Sequence, residues 1–311
     1  MVAVSTVDGA TVNLLHLAGN SGPLVLFLHA NGFHINCYTL LAEHFAKHDH
    51  QCWGVEFRGQ GSLPAPPGNL VDLYLSDLFA VVDALSLQGC LAFTHSGGAQ
   101  VAIRAEAMRP GTFAAIYAFE PVLLPVEVDS RTGKHSSEGY EALAALARRR
   151  KSHFNSKQEA AKRFRSKPPF SAFHKECFEQ YVAHGLSEQA DGTCVLAISP
   201  ESEARWYLDA GSTAMGSGHD DPPNVHCPII VGVGANAEGP LDYLNTEGIK
   251  QAPRFPKGRS DCFEGLAHLG PLEEPVRVAS RAMSCFQASK DEAAWLALPP
   301  AAIISAPHAS L

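Results

Sequence analysis

One short stretch, Leu91-Ala92-Phe93-Thr94-His95-Ser96-Gly97-Gly98-Ala99, constrains the fold of this chain more than any other. An apolar run leads into a serine that is flanked by small residues, and helix-forming residues follow. This order predicts a sharp strand–turn–helix elbow, written generically G-x-S-x-G, which presents a serine hydroxyl on a strained backbone. Small residues are needed because the strand and the helix pass very close at the turn. Threonine stands at the first small position, so the elbow reads Thr94 to Gly98.

Strand-like and helix-like segments alternate on both sides of the elbow. Leu24-Val25-Leu26-Phe27-Leu28 is a continuous apolar run, which is typical of a parallel strand buried on both faces. This alternation predicts an α/β fold, with a mainly parallel sheet and helices on both of its faces. Besides 24–28, strands are predicted at 51–57, 91–93, 113–119, 226–232 and 260–263, and helices at 38–47, 70–87, 99–108 and 275–288. The tail 298–302, rich in proline, is predicted to be a loop.

The pattern changes between residues 126 and 222, where helical signals dominate. Ser156-Lys157-Gln158-Glu159 is a capping box, and Ser199-Pro200-Glu201 places a cap and a first-position proline before another helix. We therefore expect one α/β core, built from residues 1–125 and 223–311, that is interrupted by a helical cap at residues 126–222.

Composition and charge narrow the class of protein. The 311 residues are 46% hydrophobic and carry a net charge of −8, so we expect a globular protein that binds neither nucleic acid nor an anionic membrane. No signal peptide is evident, and no apolar run approaches the roughly 18 residues of a membrane span. The eight scattered cysteines predict reduced thiols in a cytoplasmic protein. Ala309-Ser310-Leu311 is a partial match to the peroxisomal S-K-L signal.

Four motifs, in this order along the chain, resemble those of the α/β-hydrolase superfamily. Leu28-His29-Ala30-Asn31-Gly32-Phe33 resembles the H-G-x-x turn after the third strand, and Phe57-Arg58-Gly59-Gln60-Gly61-Ser62 resembles the R-G-x-G-x-S segment after the next strand. The elbow is the third motif. The fourth, Ala267-His268-Leu269-Gly270-Pro271-Leu272-Glu273-Glu274-Pro275, is similar to the segment that supplies the superfamily's catalytic histidine. The resemblance spans nearly the whole chain and implies an α/β-hydrolase sheet with an inserted helical cap.

The resemblance implies a nucleophile, a base and an acid. A hydroxyl is a poor nucleophile until a base removes its proton, and His268 stands where the superfamily places the base for Ser96. A carboxylate must fix the imidazole tautomer and stabilise the imidazolium. The usual acid loop reads Gly234-Ala235-Asn236-Ala237-Glu238, with alanine at the expected position. Glu120, after the strand that follows the elbow helix, occupies an alternative position used by some members. We favour Glu120 over Glu238.

Backbone donors and cofactors complete the expected site. An oxyanion hole needs two backbone N–H groups, and the resemblance assigns them to Gly97 and Asn31. No recognisable metal-ligand spacing, G-x-G-x-x-G or P-loop is present, so we expect no metal and no cofactor. The run Arg148-Arg149-Arg150-Lys151 could attract an acidic substrate group, but such a run is more often a solvated helix face, which is our prediction.

These features predict a serine hydrolase, similar to carboxylesterases and lipases, that cleaves an ester or related acyl bond of a small to medium hydrophobic molecule through an acyl-enzyme. Thioesterase and carbon–carbon bond hydrolase activities fit the same motifs. Thr94 and the alanine in the usual acid loop also allow a second hypothesis, a ligand-binding protein of this fold with slow or absent catalysis. A third is cofactor-free haloperoxidase or perhydrolase activity from the same triad.

Overall fold

Strands and helices alternate through the parts of the chain that the structure describes. The computed structural model describes residues 1–61, 63–123, 127–128, 135–136, 138–212, 224–236 and 243–306. The strands are β1 (Val2–Ser5), β2 (Thr11–Ala18), β3 (Leu24–Leu28), β4 (Gln51–Glu56), β5 (Cys90–His95), β6 (Phe113–Phe119), β7 (Glu127–Val128), β8 (His135–Ser136), β9 (His153–Phe154), β10 (Leu186–Glu188), β11 (Cys194–Leu196), β12 (Ile229–Gly234), β13 (Gly258–Phe263) and β14 (Ala301–Ile304).

The helices connect these strands. They are α1 (Thr39–Ala46), α2 (Leu70–Ala84), α3 (Gly97–Met108), α4 (Glu138–Arg148), α5 (Lys157–Arg165), α6 (Lys175–His184), α7 (Pro200–Ser212), α8 (Tyr243–Gln251), α9 (Gly270–Glu273), α10 (Pro275–Ala288) and α11 (Glu292–Ala297). Among the helices of the described ranges, none combines the length and the apolar character needed to cross a bilayer.

The central sheet is mainly parallel. Within the described residues it has nine strands in the order β1-β2-β4-β3-β5-β6-β12-β13-β14. Only the pairings of β2 with β1 and with β4 are antiparallel, and every other neighbouring pair is parallel. All residues of β5 and β12 are buried, as expected for strands covered on both faces. The predicted α/β fold with a mainly parallel sheet is confirmed.

Two layers of helices cover this sheet, one on each face. Successive side chains of a strand point to opposite faces, so Leu26 and Leu28 of β3 pack with α2 and α3, whereas Val25 and Phe27 pack with α1 and α10. The elbow lies at the carboxyl end of β5, in the middle of the sheet. Side chains that follow β3, β5, β6 and β12 therefore meet at one edge.

The last strand differs from its prediction. Residues 298–302 are predicted as a loop, but β14 begins at Ala301 and pairs in parallel with β13, so the prediction is wrong for Ala301 and Ala302. Pro299 and Pro300 lie before the strand and are not part of it. Alanine has little intrinsic preference for a strand, and the free edge of β13 decides the outcome through tertiary pairing.

The segment between the two halves of the sheet is not wholly helical. Within residues 138–212, α4 to α7 accompany a small antiparallel sheet of order β10-β11-β9. A tight turn joins β10 to β11, with Gly192 at φ +84° and a hydrogen bond from the Gln189 N–H to the Thr193 carbonyl. These strands are only two or three residues long, too short for the alternation that predicts a strand. Helix α7 packs on α4 and on α2 of the core.

Candidate active site

The elbow between β5 and α3 has the strained geometry that its sequence predicts. Ser96 adopts φ 53° and ψ −117°, a conformation that costs a non-glycine residue about 1–3 kcal/mol. A Cβ on Gly98 would lie 2.5 Å from the Leu28 carbonyl oxygen, so only glycine fits where α3 passes β3. Thr94, at the other small position, is buried and its hydroxyl donates to the Tyr117 carbonyl at 3.1 Å. Threonine is therefore accommodated without an unsatisfied polar group.

The strain at Ser96 gives a testable stability difference. We expect Ser96→Gly to have a free energy of unfolding about 1 kcal/mol above that of Ser96→Ala, because glycine relieves the strain but has more conformational entropy to lose. Urea unfolding of both variants measures this difference. The same two substitutions at Ser284, in the regular helix α10, are the matched control and should give the reverse order. Equal stabilities at position 96 would contradict a strained elbow.

Three side chains from different loops form a hydrogen-bonded row at the elbow. The Ser96 Oγ lies 3.1 Å from the Nε2 of His268, and the Nδ1 of His268 lies 2.7 Å from the Oε2 of Glu120. Ser96 and Glu120 are each 2% exposed. The arrangement brings together a hydroxyl, an imidazole and a carboxylate in the order that a general-base mechanism requires.

Glu120 is held in place by the neighbouring strand. It follows β6, which lies between β5 and β12, and its own N–H donates to the Gly232 carbonyl at 2.8 Å. Its Oε1 accepts a hydrogen bond of 2.8 Å from the Gly234 N–H, which leaves Oε2 for His268. Its φ of 40° turns the chain sharply at the end of the strand. Glu238, the alternative acid, lies outside the described residues.

The turn after β3 places a second backbone amide next to the elbow. A Cβ on Gly97 would lie 3.3 Å from the Asn31 Cβ, so the turn and the start of α3 adjoin. The Asn31 side chain donates to the Glu203 carbonyl at 3.0 Å and accepts from Gln60 at 2.8 Å. Gln60 in turn accepts from the Gly32 N–H at 2.8 Å. These bonds fix the turn, and among the described residues neither the Asn31 nor the Gly97 N–H has a protein acceptor.

A buried chain of hydrogen bonds links this turn to the His268 loop. Burial holds the pKa of His95 well below its usual range, so the ring is neutral, with one donor and one acceptor nitrogen. Its Nε2 faces the His268 carbonyl at 2.8 Å and must donate, so its Nδ1 accepts from the Tyr38 hydroxyl at 2.7 Å. That hydroxyl accepts from the Ala30 N–H at 3.1 Å. His95 and Tyr38 thus position the two sides of the site relative to each other.

Two other buried histidines near the turn predict a loss of stability in acid. Burial lowers the pKa of His29 to about 4 and that of His34 to about 3. Below the ordinary pKa near 6.5, the unfolded chain binds protons that the folded chain does not, so folding free energy is lost as the pH falls from there toward these values. We expect His29 alone to account for a loss of about 2–3 kcal/mol between pH 7 and pH 4.5.

Chemical denaturation of the protein and of His29→Asn at both pH values tests this expectation. The variant should lose less stability than the parent between pH 7 and pH 4.5. His153→Asn, at an exposed histidine, is the control and should behave like the parent. Identical pH dependence in all three proteins would contradict the buried neutral state of His29.

A cavity of about 350 Å³ opens beside the row. It is lined by His268, by the turn after β3 and by residues of the 138–212 segment. Within the described residues, no group of three or more histidine, cysteine, aspartate or glutamate side chains is placed to hold a metal ion. The lining residues are Ala30, Asn31, Phe33, Arg150, Lys151, Arg163, Phe164, Lys167, Pro168, Pro169, Phe170, Glu203, Tyr207, His268 and Leu269.

Comparison with known proteins identifies the class to which this fold belongs. The sequence of residues 25–282 matches the alpha/beta hydrolase family, and the chain belongs to that family. No curated protein matches the chain in sequence.

Solved structures share the fold at low sequence identity. E-2-(acetamidomethylene)succinate hydrolase has a TM-score of 0.75 and 18% identity, and the match covers 92% of this chain and 98% of that one. A thermophilic esterase from Thermogutta terrifontis has a TM-score of 0.68 and 18% identity, with 93% and 99% covered. N-formylmaleamic acid deformylase from Pseudomonas putida S16 has a TM-score of 0.58 and 19% identity, with 93% and 99% covered.

Proposed function

We propose that this protein is a serine hydrolase, similar to carboxylesterases and lipases, that cleaves an ester or related acyl bond of a small to medium hydrophobic molecule. The observation that carries the proposal is the row of hydrogen bonds from the Ser96 hydroxyl through His268 to Glu120. Membership of the alpha/beta hydrolase family and the esterases among the structural neighbours support hydrolysis as the reaction class.

In the proposed acylation step, the Ser96 Oγ attacks the carbonyl carbon of the substrate while the Nε2 of His268 takes the hydroxyl proton. The Glu120 carboxylate, which accepts from Nδ1, stabilises the imidazolium that forms. The N–H groups of Gly97 and Asn31 donate to the negative oxygen of the tetrahedral intermediate. His268 then gives its proton to the leaving alcohol, and the acyl group remains on Ser96.

Deacylation repeats these roles with water as the nucleophile. His268 takes a proton from a water molecule as its oxygen attacks the acyl carbon. The tetrahedral intermediate collapses, the proton returns to the Ser96 Oγ, and a free carboxylic acid leaves. Each role belongs to a side chain or amide already fixed by its neighbours, so little reorganisation is needed during the reaction.

We propose that residues 126–222 act as a cap on the α/β core of residues 1–125 and 223–311. Described residues of this segment form one wall of the cavity beside His268, where Phe164 and Phe170 provide apolar surface. A partly enclosed, mostly apolar cavity of this volume suits a small molecule better than a protein chain. We also propose a cytoplasmic location, because all eight cysteines are free.

A fluorophosphonate probe tests the proposal whatever the substrate is, because it reacts with the activated serine itself. We expect one probe per protein molecule, located on Ser96 by peptide mapping, and no adduct in Ser96→Ala. A panel of esters and thioesters then shows which acyl bond is cleaved. Absence of labelling, under conditions that label a reference esterase, would contradict the proposal and favour a ligand-binding protein. Peroxide-dependent oxidation without ester turnover would favour the perhydrolase alternative.

A further inference from the structure

The cavity beside His268 carries an excess of positive charge. Among its described lining residues, Arg150, Lys151, Arg163 and Lys167 are cationic, and Glu203 is the one acidic side chain. The whole chain has a net charge of −8, so this wall differs in sign from the molecule as a whole. A cationic wall in an acidic protein requires an explanation beyond general solubility.

Two of these cations have anionic partners within the protein. The Arg150 guanidinium forms an ion pair with Glu203 and donates to the Tyr181 hydroxyl at 2.9 Å. The Lys151 Nζ lies 3.1 Å from a carboxylate oxygen of Glu159. Arg150 is thus neutralised by a carboxylate that lines the cavity, and Lys151 by one that is not among the lining residues. Neither contributes free positive charge.

The other two cations have no such partner. Among the described residues, no carboxylate lies within ion-pair distance of Arg163 or Lys167. Both residues are exposed and line the cavity, so their charges are accessible to a molecule that enters it. In the sequence they lie on either side of Phe164, near the end of α5, and the Phe170 ring packs against Phe164 with the ring centroids 5.0 Å apart. An apolar surface bordered by two free cations is complementary to a molecule with an apolar body and an anionic end.

We infer that the substrate is an acidic ester, in which a carboxylate separated from the scissile acyl bond by an apolar chain binds Arg163 and Lys167. The inference rests on the proposed function, because the scissile bond is placed at Ser96. Guanidinium and ammonium groups bind carboxylates through charge-assisted hydrogen bonds. The aromatic side chains would contact the intervening chain, and His268 and Asn31 line the same cavity as Arg163 and Lys167.

Monomethyl adipate and methyl hexanoate are a matched pair of substrates for the first test. They have the same six-carbon acyl chain and differ in a terminal carboxylate. We expect kcat/KM, measured by methanol release at low ionic strength, to be about tenfold higher or more for monomethyl adipate. The preference should decrease as NaCl is raised, because salt screens exposed charges. An equal or reversed preference would overturn the inference.

Charge-removal variants locate the source of the preference. The double variant Arg163→Gln/Lys167→Gln should lower kcat/KM for monomethyl adipate about tenfold, mainly through KM, and change that for methyl hexanoate less than twofold. Lys162→Gln/Lys175→Gln removes the same charge from exposed lysines outside the cavity wall and is the control. Equal effects of the two double variants would overturn the assignment of the binding residues.

The outcomes separate this inference from the proposed function. Cleavage of both esters without a preference overturns the inference and leaves the hydrolase intact, whereas absence of both cleavage and Ser96 labelling overturns the hydrolase itself. If Ser96 is labelled but neither ester is cleaved, a comparison of how well the two esters bind tests the inference. Monomethyl adipate should then slow fluorophosphonate labelling more than methyl hexanoate does, and only in proteins that keep Arg163 and Lys167. Equal protection of Ser96 by the two esters would overturn the inference.

Discussion

Replacing Ser96 with alanine should lower kcat on any ester that the protein cleaves by about 10⁴-fold or more. The substitution removes the only atom of the row that can form the acyl bond, while His268 and Glu120 keep their contact. In the proposed mechanism, any residual rate would come from water that His268 activates directly, assisted by the N–H groups of Gly97 and Asn31. Steady-state kinetics on the best substrate of the ester panel measures this loss.

Folding must be unchanged for that result to be informative. Alanine at position 96 bears the same backbone strain as serine, so urea unfolding of Ser96→Ala should match that of the parent within about 0.5 kcal/mol. Ser284→Ala, at an exposed serine of α10, is the matched control and should keep full activity. Retention of more than a tenth of the parent kcat in Ser96→Ala would exclude Ser96 as the nucleophile.

The elbow and the sheet were predictable because they depend on local sequence. A buried parallel strand requires a continuous apolar run, and β3 and β5 both have one. The close passage of α3 against β3 demands glycine at position 98, which is visible in the sequence as a small residue after the serine. Strand, turn and helix are neighbours along the chain, so the position of Ser96 between them follows without tertiary information.

The tertiary contacts of the site were less predictable. Tyr38 and Gln60 position the turn after β3, but each acts through a single hydroxyl or amide and leaves no periodic pattern. The run at 148–151 is predicted as a solvated helix face, yet Arg150 is largely buried against Glu203, more than fifty residues further along the chain. No local pattern indicates which of several neighbouring arginines is buried. The prediction is therefore wrong for Arg150.

The choice of acid also depended on contacts between distant strands. The sequence offers Glu120 and Glu238 as alternatives, because each follows a predicted strand that ends at the same edge of the sheet. The hydrogen bonds of Glu120 to His268 and to the Gly234 N–H join β6, β12 and the loop before α9, which are far apart in sequence. Only the order of strands in the sheet brings them together.

Glu120→Gln should therefore lower kcat by about 10³- to 10⁴-fold. In the parent protein, the two carboxylate oxygens of Glu120 accept from two donors, the Gly234 N–H and the Nδ1–H of His268. Glutamine has nearly the same shape but only one acceptor oxygen. The amide nitrogen must face one of these donors. If it faces His268, the ring shifts its proton to Nε2, which then can no longer accept the proton of Ser96.

Glu238→Gln is the matched comparison and should lower kcat less than threefold, because Glu120 already occupies the Nδ1 side of His268. Glu120→Asp keeps the charge on a shorter side chain and should retain more activity than Glu120→Gln, since a carboxylate still faces the imidazole. The reverse ranking of Glu120→Gln and Glu238→Gln would assign the acid to the usual loop. Small and equal effects of both would indicate that His268 works as the base without a carboxylate partner.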